Sequence, residues 1–225
     1  MFSYIIQLFS AFVLGSLLAC SSVSTSAVPA APMAESQPPS NVTALGDKQI
    51  AIFAGGCFWG VEAVFENVKG VIDVKSGYSG GTAKTANYDA VSDGSTKHAE
   101  AVQITFDPAK VSYEQLLEVF FKVAHDPTEL NRQGPDVGAQ YRSAIFYTDE
   151  TQKQATIGYI EKLGAVGVYK KPIVTQVVAL EKFYDAEAYH QDYLPQNLDS
   201  PYIIAHDLPK LENLKKQFPT LYAKK

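Results

Sequence analysis

Alternating runs of apolar and polar residues predict most of the secondary structure from residue 48 onward. Short apolar or alternating segments predict strands over residues 49–54, 71–79, 100–106, 143–148 and 173–180. Apolar positions at helical spacing predict helices over residues 57–68, from Ser112 beyond Phe121, and from Asp149 to Gly164. The stretches 80–98 and 126–142 are polar and rich in turn-forming residues, which predicts two long loops.

The order of these elements is β-α-β, a loop, then β-α-β-α-β. It predicts the α+β class, with a mixed sheet, a split βαβ (ferredoxin-like) core and helices packed on the sheet. The segment has the size of one common domain, to which we assign residues 48–225. Its sequence contains no internal repeat and no phosphate-binding glycine loop.

The first 47 residues follow a different pattern. Residues 1–19 carry no charged side chain and end at Cys20, which resembles the signal peptide of a bacterial lipoprotein. We therefore expect export, cleavage before Cys20, and a lipid on that sulfur that anchors the protein at the periplasmic face of a bacterial membrane. Residues 20–47 are rich in Ser, Ala and Pro, which predicts a flexible tether. Two alternatives stay open: a secretory signal cut near Ala30, leaving a soluble periplasmic protein, and a retained membrane anchor. The absence of Lys and Arg from the first residues counts against every interpretation that requires export.

The balance of acidic and basic residues limits the kinds of molecule that the chain can bind. The chain has 19 basic and 24 acidic residues, a formal net charge of −5 at pH 7. This balance offers no basic surface for nucleic acid. We expect a monomer that contacts a membrane through its N-terminus.

Cys57 is the one cysteine of the predicted domain. If Cys20 carries lipid, Cys57 has no disulfide partner, and the sequence has no second nearby cysteine for a zinc site. Gly55 and Gly56 precede Cys57 in a predicted strand-to-helix turn. A thiol in the first turn of a helix meets the positive end of the helix dipole, which predicts a lowered pKa and an available thiolate. The alternative is a buried structural cysteine, as most free cysteines are.

Two aromatic residues, Phe58 and Trp59, directly follow Cys57. Neighbouring residues on a helix point about 100° apart, so the two cannot both join one core stripe. We expect one to be buried and the other to line a site beside Cys57. An aromatic wall next to a thiol favours a substrate with a small apolar or thioether-like group.

Glu100 is the second candidate for chemistry, because it shares the apolar face of its strand with Val102, Ile104 and Phe106. A carboxyl on such a face loses solvation, which raises its pKa and suits a general acid. The alternative is a solvated carboxyl at the strand edge. Other polar candidates are Tyr88, Asp136 and Tyr141 in the loops, and His98, His125, His190 and His206. Taken singly, each loop residue is typical of a surface or hinge position, and each histidine is typical of a structural hydrogen bonder.

Dispersed motifs give the chain a family resemblance. They are Gly56-Cys57-Phe58-Trp59-Gly60, Asn87-Tyr88-Asp89, His98-Ala99-Glu100-Ala101-Val102, His125-Asp126-Pro127-Thr128, Asn131-Arg132-Gln133-Gly134, Asp136 with Gln140-Tyr141-Arg142-Ser143, and Phe183-Tyr184 with Ala188-Tyr189-His190-Gln191-Asp192-Tyr193. Over about residues 50 to 212 the chain resembles the A-type peptide-methionine sulfoxide reductases. The resemblance implies reduction of the S epimer of methionine sulfoxide, protein-bound and free, and so repair of oxidised proteins under oxidative stress.

The resemblance also implies a role for each site residue. Cys57 would attack the sulfoxide sulfur and become a sulfenic acid, and Glu100 would protonate the sulfoxide oxygen. The remaining roles are hydrogen bonds to that oxygen from Tyr88 and Tyr141, a place in the same pocket for Asp136, and contacts with the substrate methyl group from Phe58 and Trp59.

The C-terminal region departs from many members of that family, which carry a resolving cysteine there. Residues 193–225 contain none, so the chain resembles the single-cysteine subtype. This implies no bound cofactor and an external thiol reductant, of thioredoxin, glutaredoxin or glutathione type. Two further functions stay open: a cysteine acyl-hydrolase that pairs Cys57 with a histidine, and a non-catalytic lipoprotein that binds methionine-rich partners through Phe58 and Trp59.

Overall fold

A computed structural model describes residues 48–224. The strands are β1 Gln49–Gly55, β2 Val71–Ser79, β3 Ala99–Phe106, β4 Arg132–Gln133, β5 Asp136–Val137, β6 Ser143–Tyr147, β7 Gln176–Ala179 and β8 Phe183–Asp185. The α-helices are α1 Phe58–Glu66, α2 Tyr88–Ser92, α3 Tyr113–Val119, α4 Glu150–Val166, α5 Tyr193–Gln196 and α6 Leu208–Gln217. Wider π-helical turns continue α3 over Phe120–Ala124 and lead into α6 over Ile203–Asp207.

Six strands form one mixed sheet in the order β7-β6-β1-β3-β2-β8. β3 lies between β1 and β2 and runs antiparallel to both, so β1-α1-β2 is a split βαβ unit. β6 pairs antiparallel with the other edge of β1, which completes the ferredoxin-like order β6-β1-β3-β2. The parallel pairing of β6 with β7 makes the sheet mixed. The predicted fold class is confirmed.

From Ala51 onward β1 is buried on both faces of the sheet, which explains why its residues there are apolar without alternation. On one face Phe53 packs against Phe65 of α1 and Phe120 at the end of α3, with ring centroids 5.6 and 4.8 Å apart. On the other face Ile52 joins a smaller buried layer with Phe146. The helices that bear on the site therefore cover the Phe53 face, which is also the face of Val102 and Glu100.

Capping residues begin two helices where the sequence predicts. Ser112 Oγ accepts the Gln115 N–H at 3.2 Å and the Gln115 side chain accepts the Ser112 N–H at 2.9 Å, which completes a capping box for α3. Asp149 caps α4 as predicted. α4 continues past Gly164 because the residue in the left-handed conformation that ends it is Gly167, with φ 67°.

The weakest predictions concern short elements and the C-terminal region. α2 lies inside the predicted loop 80–98, the small hairpin β4–β5 lies inside the predicted loop 126–142, and β8, α5 and α6 follow the last predicted strand. All of these elements have ten or fewer residues and gain stability from tertiary contacts, such as the burial of Leu214 of α6. Within residues 48–224, no helix combines the length and apolar character that a bilayer crossing needs. The predicted signal peptide, Cys20 and the tether lie outside the described residues.

Candidate active site

Cys57 lies at the N-cap of α1, directly after β1. Gly56 turns the chain there with φ 94°, a left-handed conformation that favours glycine, and a Cβ on it would lie 2.6 Å from the Gln133 side chain. The Cys57 side chain is only 7% exposed, so the turn holds the thiol inside the protein.

Burial raises the pKa of the Cys57 thiol well above its ordinary value. The charges of Glu100 and Asp207 raise that pKa further, whereas the Trp59 N–H and the Lys210 ammonium lower it. The predicted low pKa is therefore wrong for the protein without substrate. The helix N-terminus acts in the expected direction, but the loss of solvation is larger. Near pH 7 the resting thiol is protonated.

Glu100 lies on the face of β3 that is turned toward α1, and it is 2% exposed. Its Oε2 accepts the Phe58 N–H at 3.1 Å, which ties the carboxyl to the residue after Cys57. Burial raises the pKa of Glu100 to about 8, against the effect of that hydrogen bond and with a further contribution from Asp136. Glu100 is thus a neutral carboxylic acid near pH 7, not the solvated residue of the alternative interpretation.

Tyr88 and Tyr141 bring two phenol groups to the same region from separate loops. Tyr88 begins α2 and its backbone N–H donates to Glu187 at 2.8 Å, while Tyr141 ends a turn of 3₁₀-helix. Burial raises the pKa of both phenols, and both respond to the charges of Glu100 and Cys57. The four groups therefore lie within electrostatic reach of one another, and the two neutral hydroxyls are available as donors.

Phe58 and Trp59 have different surroundings. Phe58 is 1% exposed and packs between Tyr78 and His190, with ring centroids 5.9 and 5.1 Å away. Trp59 is half-buried, stacks on Tyr193 with centroids 3.7 Å apart, and donates its Nε1–H to His190 Nδ1 at 3.1 Å. One aromatic thus joins the core and the other forms a fixed, partly open surface, as the helical geometry predicts.

A cavity of about 200 Å³ opens beside Cys57. Its walls include Cys57, the loop that carries Asp136, and the C-terminal segment that carries Tyr202, His206 and Lys210. The Tyr202 hydroxyl donates a hydrogen bond to Asp136 Oδ2, which joins the loop to that segment. Of the residues predicted for the site, Cys57 and Asp136 line this cavity. The others surround Cys57 from β3, α1 and the loops.

Sequence reasoning missed the contribution of Asp207 and Lys210. Asp207 is completely buried; its Oδ1 accepts a hydrogen bond from Lys210 Nζ at 3.1 Å, and its Oδ2 has no partner in the described part of the chain. A Cβ on Gly60 would lie 2.0 Å from Asp207 Oδ1, so the C-terminal segment packs directly on the α1 backbone. An acid and a base three residues apart were visible in the sequence, but such pairs are common on exposed helices.

Three of the four histidines make structural hydrogen bonds. His125 lies 2.7 Å from Ser143 Oγ, and burial lowers its pKa to about 4. His98 lies 3.0 Å from a backbone carbonyl, and His190 accepts the indole N–H described above. Each of these three imidazoles has a hydrogen-bond partner other than Cys57, and the fourth, His206, lies on the cavity wall. Within residues 48–224, no cluster of three or more His, Cys, Asp or Glu could hold a metal ion.

The fold and the site together define a class of protein. A buried thiol at a helix start, a neutral carboxyl tied to the next residue, and two phenols within reach form a set of perturbed groups typical of catalytic sites. The class is that of enzymes that depend on a cysteine.

Comparisons with known proteins identify the family. The family model described as peptide methionine sulfoxide reductase matches residues 49–221. The chain is 55% identical over 177 residues to "Peptide methionine sulfoxide reductase MsrA 2" of Mesorhizobium japonicum, covering 79% of this chain and 91% of that protein. It is 53% identical over 180 residues to the protein of that name from Synechocystis, covering 80% and 84%. The chain belongs to the peptide methionine sulfoxide reductase family.

Solved structures agree with this assignment. Mxr1 from Saccharomyces cerevisiae in its reduced form matches with a TM-score of 0.64 and 32% identity, over 68% of this chain and 87% of that one. Methionine sulfoxide reductase A of Corynebacterium diphtheriae matches with a TM-score of 0.59 and 32% identity, over 67% and 76%. The protein is therefore an oxidoreductase that acts on methionine sulfoxide, and the acyl-hydrolase and non-catalytic alternatives are set aside.

Proposed function

We propose that this enzyme reduces the S epimer of methionine sulfoxide, in oxidised proteins and as the free amino acid, with Cys57 as nucleophile and Glu100 as acid. The observation that carries the proposal is the 3.1 Å hydrogen bond from the Phe58 N–H to Glu100, which holds a neutral carboxyl beside a buried thiol. A sulfoxide oxygen is a poor leaving group until it is protonated, and a neutral carboxylic acid supplies that proton. The choice of the S epimer follows from the resemblance of the sequence motifs to the A-type enzymes.

The first half of the reaction oxidises Cys57. The Cys57 sulfur attacks the sulfoxide sulfur and forms a transient sulfur–sulfur bond, while Glu100 protonates the sulfoxide oxygen. The oxygen then passes to Cys57, and both the sulfur–oxygen bond of the substrate and the transient sulfur–sulfur bond break. The oxygen ends on Cys57 as a sulfenic acid, and the proton of the original thiol restores Glu100. One thiol and one sulfoxide thus yield one sulfenic acid and one thioether.

The other site residues orient the sulfoxide in this proposal. Tyr88 and Tyr141 donate hydrogen bonds to its oxygen and stabilise the charge that develops there. Asp136 belongs to the same pocket, where its bond to Tyr202 fixes the loop. The substrate methyl group rests against Trp59, with Phe58 behind it, because a thioether sulfur makes favourable contacts with aromatic rings.

The second half of the reaction needs external thiols. A thiol attacks the Cys57 sulfenic acid, which gives a mixed disulfide and water; a second thiol releases Cys57 and leaves as the other half of a disulfide. Residues 193–225 contain no cysteine that could act within the chain. The reductant is of thioredoxin, glutaredoxin or glutathione type, and no bound cofactor takes part.

The proposal extends to location. The first 20 residues resemble a lipoprotein signal, so the enzyme is exported and held at a membrane through lipid on Cys20. Residues 20–47 act as a tether that lets the domain reach oxidised proteins near the membrane.

A single-turnover experiment tests the catalytic proposal. Enzyme without reductant is mixed with an excess of separated S and R sulfoxide epimers of a methionine peptide. We expect one methionine per enzyme from the S epimer alone, with Cys57 labelled by a sulfenic-acid reagent, and continued turnover after thiol is added. A Cys57–Cys57 or Cys20–Cys57 disulfide as the main product would contradict the single-cysteine scheme.

Two variants separate the roles of the residues. Cys57→Ser removes the nucleophile, so methionine formation falls below a few per cent of the wild-type yield. Glu100→Gln keeps the shape but loses the acidic proton, and the rate of sulfenic acid formation falls by about 10²–10⁴-fold. Substrate binding changes far less. A wild-type rate in the Glu100→Gln variant shows that another group is the acid.

A further inference from the structure

The wall of the cavity beside Cys57 includes a lysine, Lys210, whose ammonium is bound by a buried carboxylate. Lys210 lines the cavity together with Cys57, and its side chain is 17% exposed. Its ammonium is 3.1 Å from Asp207 Oδ1, and Asp207 is completely buried against the first turn of α1 at Gly60. The buried carboxylate therefore anchors the lysine at the helix end that Cys57 caps.

Cys57 is surrounded by groups of both signs. Two carboxyls and three phenols interact with it electrostatically, whereas Lys210 is the lysine that acts on it from the C-terminal segment. The titratable groups around Cys57 are Glu100 from β3, Tyr88 from α2, Asp136 from β5, Tyr141 from the 3₁₀ turn after β5, and Tyr202, His206, Asp207 and Lys210 from the C-terminal segment. A negative charge on the Cys57 sulfur thus has little local compensation apart from Lys210 and the N–H groups of α1.

We propose that Lys210 is a positioning residue for the thiol cycle: its ammonium, anchored by Asp207, stabilises the Cys57 thiolate each time that thiolate forms. The inference rests on the proposed role of Cys57 as the thiol that turns over. The Asp207 carboxylate holds the Lys210 ammonium in place but destabilises a thiolate on Cys57. The charges of Asp207 and Lys210 therefore shift the pKa of Cys57 in opposite directions.

The thiolate forms when the mixed disulfide is resolved. The second thiolate attacks the outer sulfur, the bond between that sulfur and Cys57 breaks, and Cys57 leaves with the electron pair. The two external thiols are oxidised to one disulfide, and Cys57 is reduced. The rate depends on how stable the leaving thiolate is, because a thiol of lower pKa leaves faster. Lys210 lines the same cavity as Cys57.

The test is the pH dependence of Cys57 alkylation in the full-length protein. Wild type and variants are treated with iodoacetamide between pH 7 and 10, and the rate is followed by mass spectrometry on the Cys57 peptide. The variants are Lys210→Met, Lys210→Arg and Asp207→Asn. The control is Lys216→Met, which removes an exposed lysine from the same helix. The same proteins, prepared as the mixed disulfide with a small thiol, are also assayed for release by dithiothreitol.

Opposite changes at the two residues are expected. Lys210→Met slows alkylation at pH 8 by about threefold to tenfold, because the Cys57 thiolate loses a stabilising positive charge, and it slows release in the same sense. Asp207→Asn accelerates alkylation, because the Asp207 carboxylate raises the pKa of the Cys57 thiol by more than Lys210 lowers it. Lys210→Arg and Lys216→Met keep the wild-type profile.

Two outcomes overturn the inference: an unchanged profile in Lys210→Met, or a shift of the same sign in Lys210→Met and Asp207→Asn. The second outcome would indicate a loss of packing, not of charge. Alkylation needs no sulfoxide, so a failure of the proposed reductase mechanism is detected separately, by the single-turnover assay with Cys57→Ser.

Discussion

Loss of solvation controls the ionisable residues of this site. Glu100 and Glu62 are each 2% exposed, and burial raises the pKa of each to about 8. Glu62 accepts backbone N–H groups from Ser76 at 3.3 Å and Asp192 at 3.0 Å, so it joins α1 to β2 and to the C-terminal segment. Loss of solvation thus keeps Glu100 neutral, where the proposed reaction needs an acid. It also keeps Glu62 neutral, where α1 is joined to Asp192.

Glu100 makes the stability of the protein depend on pH. Its pKa is about 8 in the folded protein and 4.5 ordinarily, so between these values the folded state binds more protons than the unfolded state. The contribution of Glu100 to the free energy of unfolding is therefore fully present below pH 4.5. It is lost as pH rises to about 8, at about 1.4 kcal/mol per pH unit. We expect Glu100→Gln to flatten the fall in unfolding free energy between pH 5 and 8.

Denaturant unfolding at four pH values measures this slope. Glu62→Gln should flatten the slope in the same way, because Glu62 has a similar folded pKa. Glu212→Gln, which changes an exposed carboxyl on α6, serves as the matched control. An identical slope in wild type and Glu100→Gln would show that Glu100 is ionised in the folded protein.

Close packing between elements decides how α1 presents Cys57. α1 meets the C-terminal segment through Gly60, where a Cβ would lie 2.0 Å from Asp207 Oδ1. α4 also contains a glycine in its interior, Gly158, but nothing lies within 4 Å of a Cβ built there. Both glycines lie within predicted helices, but only Gly60 packs directly against another part of the chain.

This contrast predicts opposite effects of one substitution. Gly158→Ala stabilises the protein by about 0.5–1 kcal/mol, because alanine is the better helix former. Gly60→Ala forces Asp207 away from α1 and destabilises the protein by about 1–3 kcal/mol, the usual cost of overpacking. Thermal and denaturant unfolding of the two variants measure both effects. A stabilised Gly60→Ala variant would mean that the C-terminal segment is not seated on α1.

At the scale of the whole molecule, the described domain contains every residue of the proposed chemistry. The C-terminal segment closes the site through Tyr202 and Lys210, and the chain end is attached where the Lys69 N–H donates to the Leu221 carbonyl at 2.7 Å. None of these residues belongs to the first 47, which contain the proposed lipid anchor at Cys20. Catalysis and membrane attachment should therefore separate.

Removal of the anchor tests this separation. We expect residues 48–225 alone, and the full chain with Cys20→Ser, to reduce free methionine sulfoxide at the wild-type rate per molecule. Both should lose incorporation of a labelled fatty acid and move from the membrane to the soluble fraction. A Cys20→Ser protein that stays in the membrane fraction would favour a retained anchor, and a folded but inactive 48–225 fragment would place part of the site upstream.

Local rules determined much of this protein from its sequence. Period-two alternation placed β3 and put Glu100 on its buried face, and the Ser112 capping box began α3. The element order also predicted the split βαβ core, because few topologies join such elements without crossing connections. These properties depend on residues close together in the chain, so a sequence pattern is enough to reveal them.

Only the tertiary structure decided how the site behaves. The pKa of Cys57 is high instead of low because residues distant in sequence remove water from the thiol, and that cost exceeds the effect of its own helix. Asp207 and Lys210 reach the thiol from a C-terminal segment whose pattern predicted no element. Loss of solvation and the electrostatic effects of distant charges depend on which surfaces come into contact in the folded protein. A local sequence pattern does not specify those contacts.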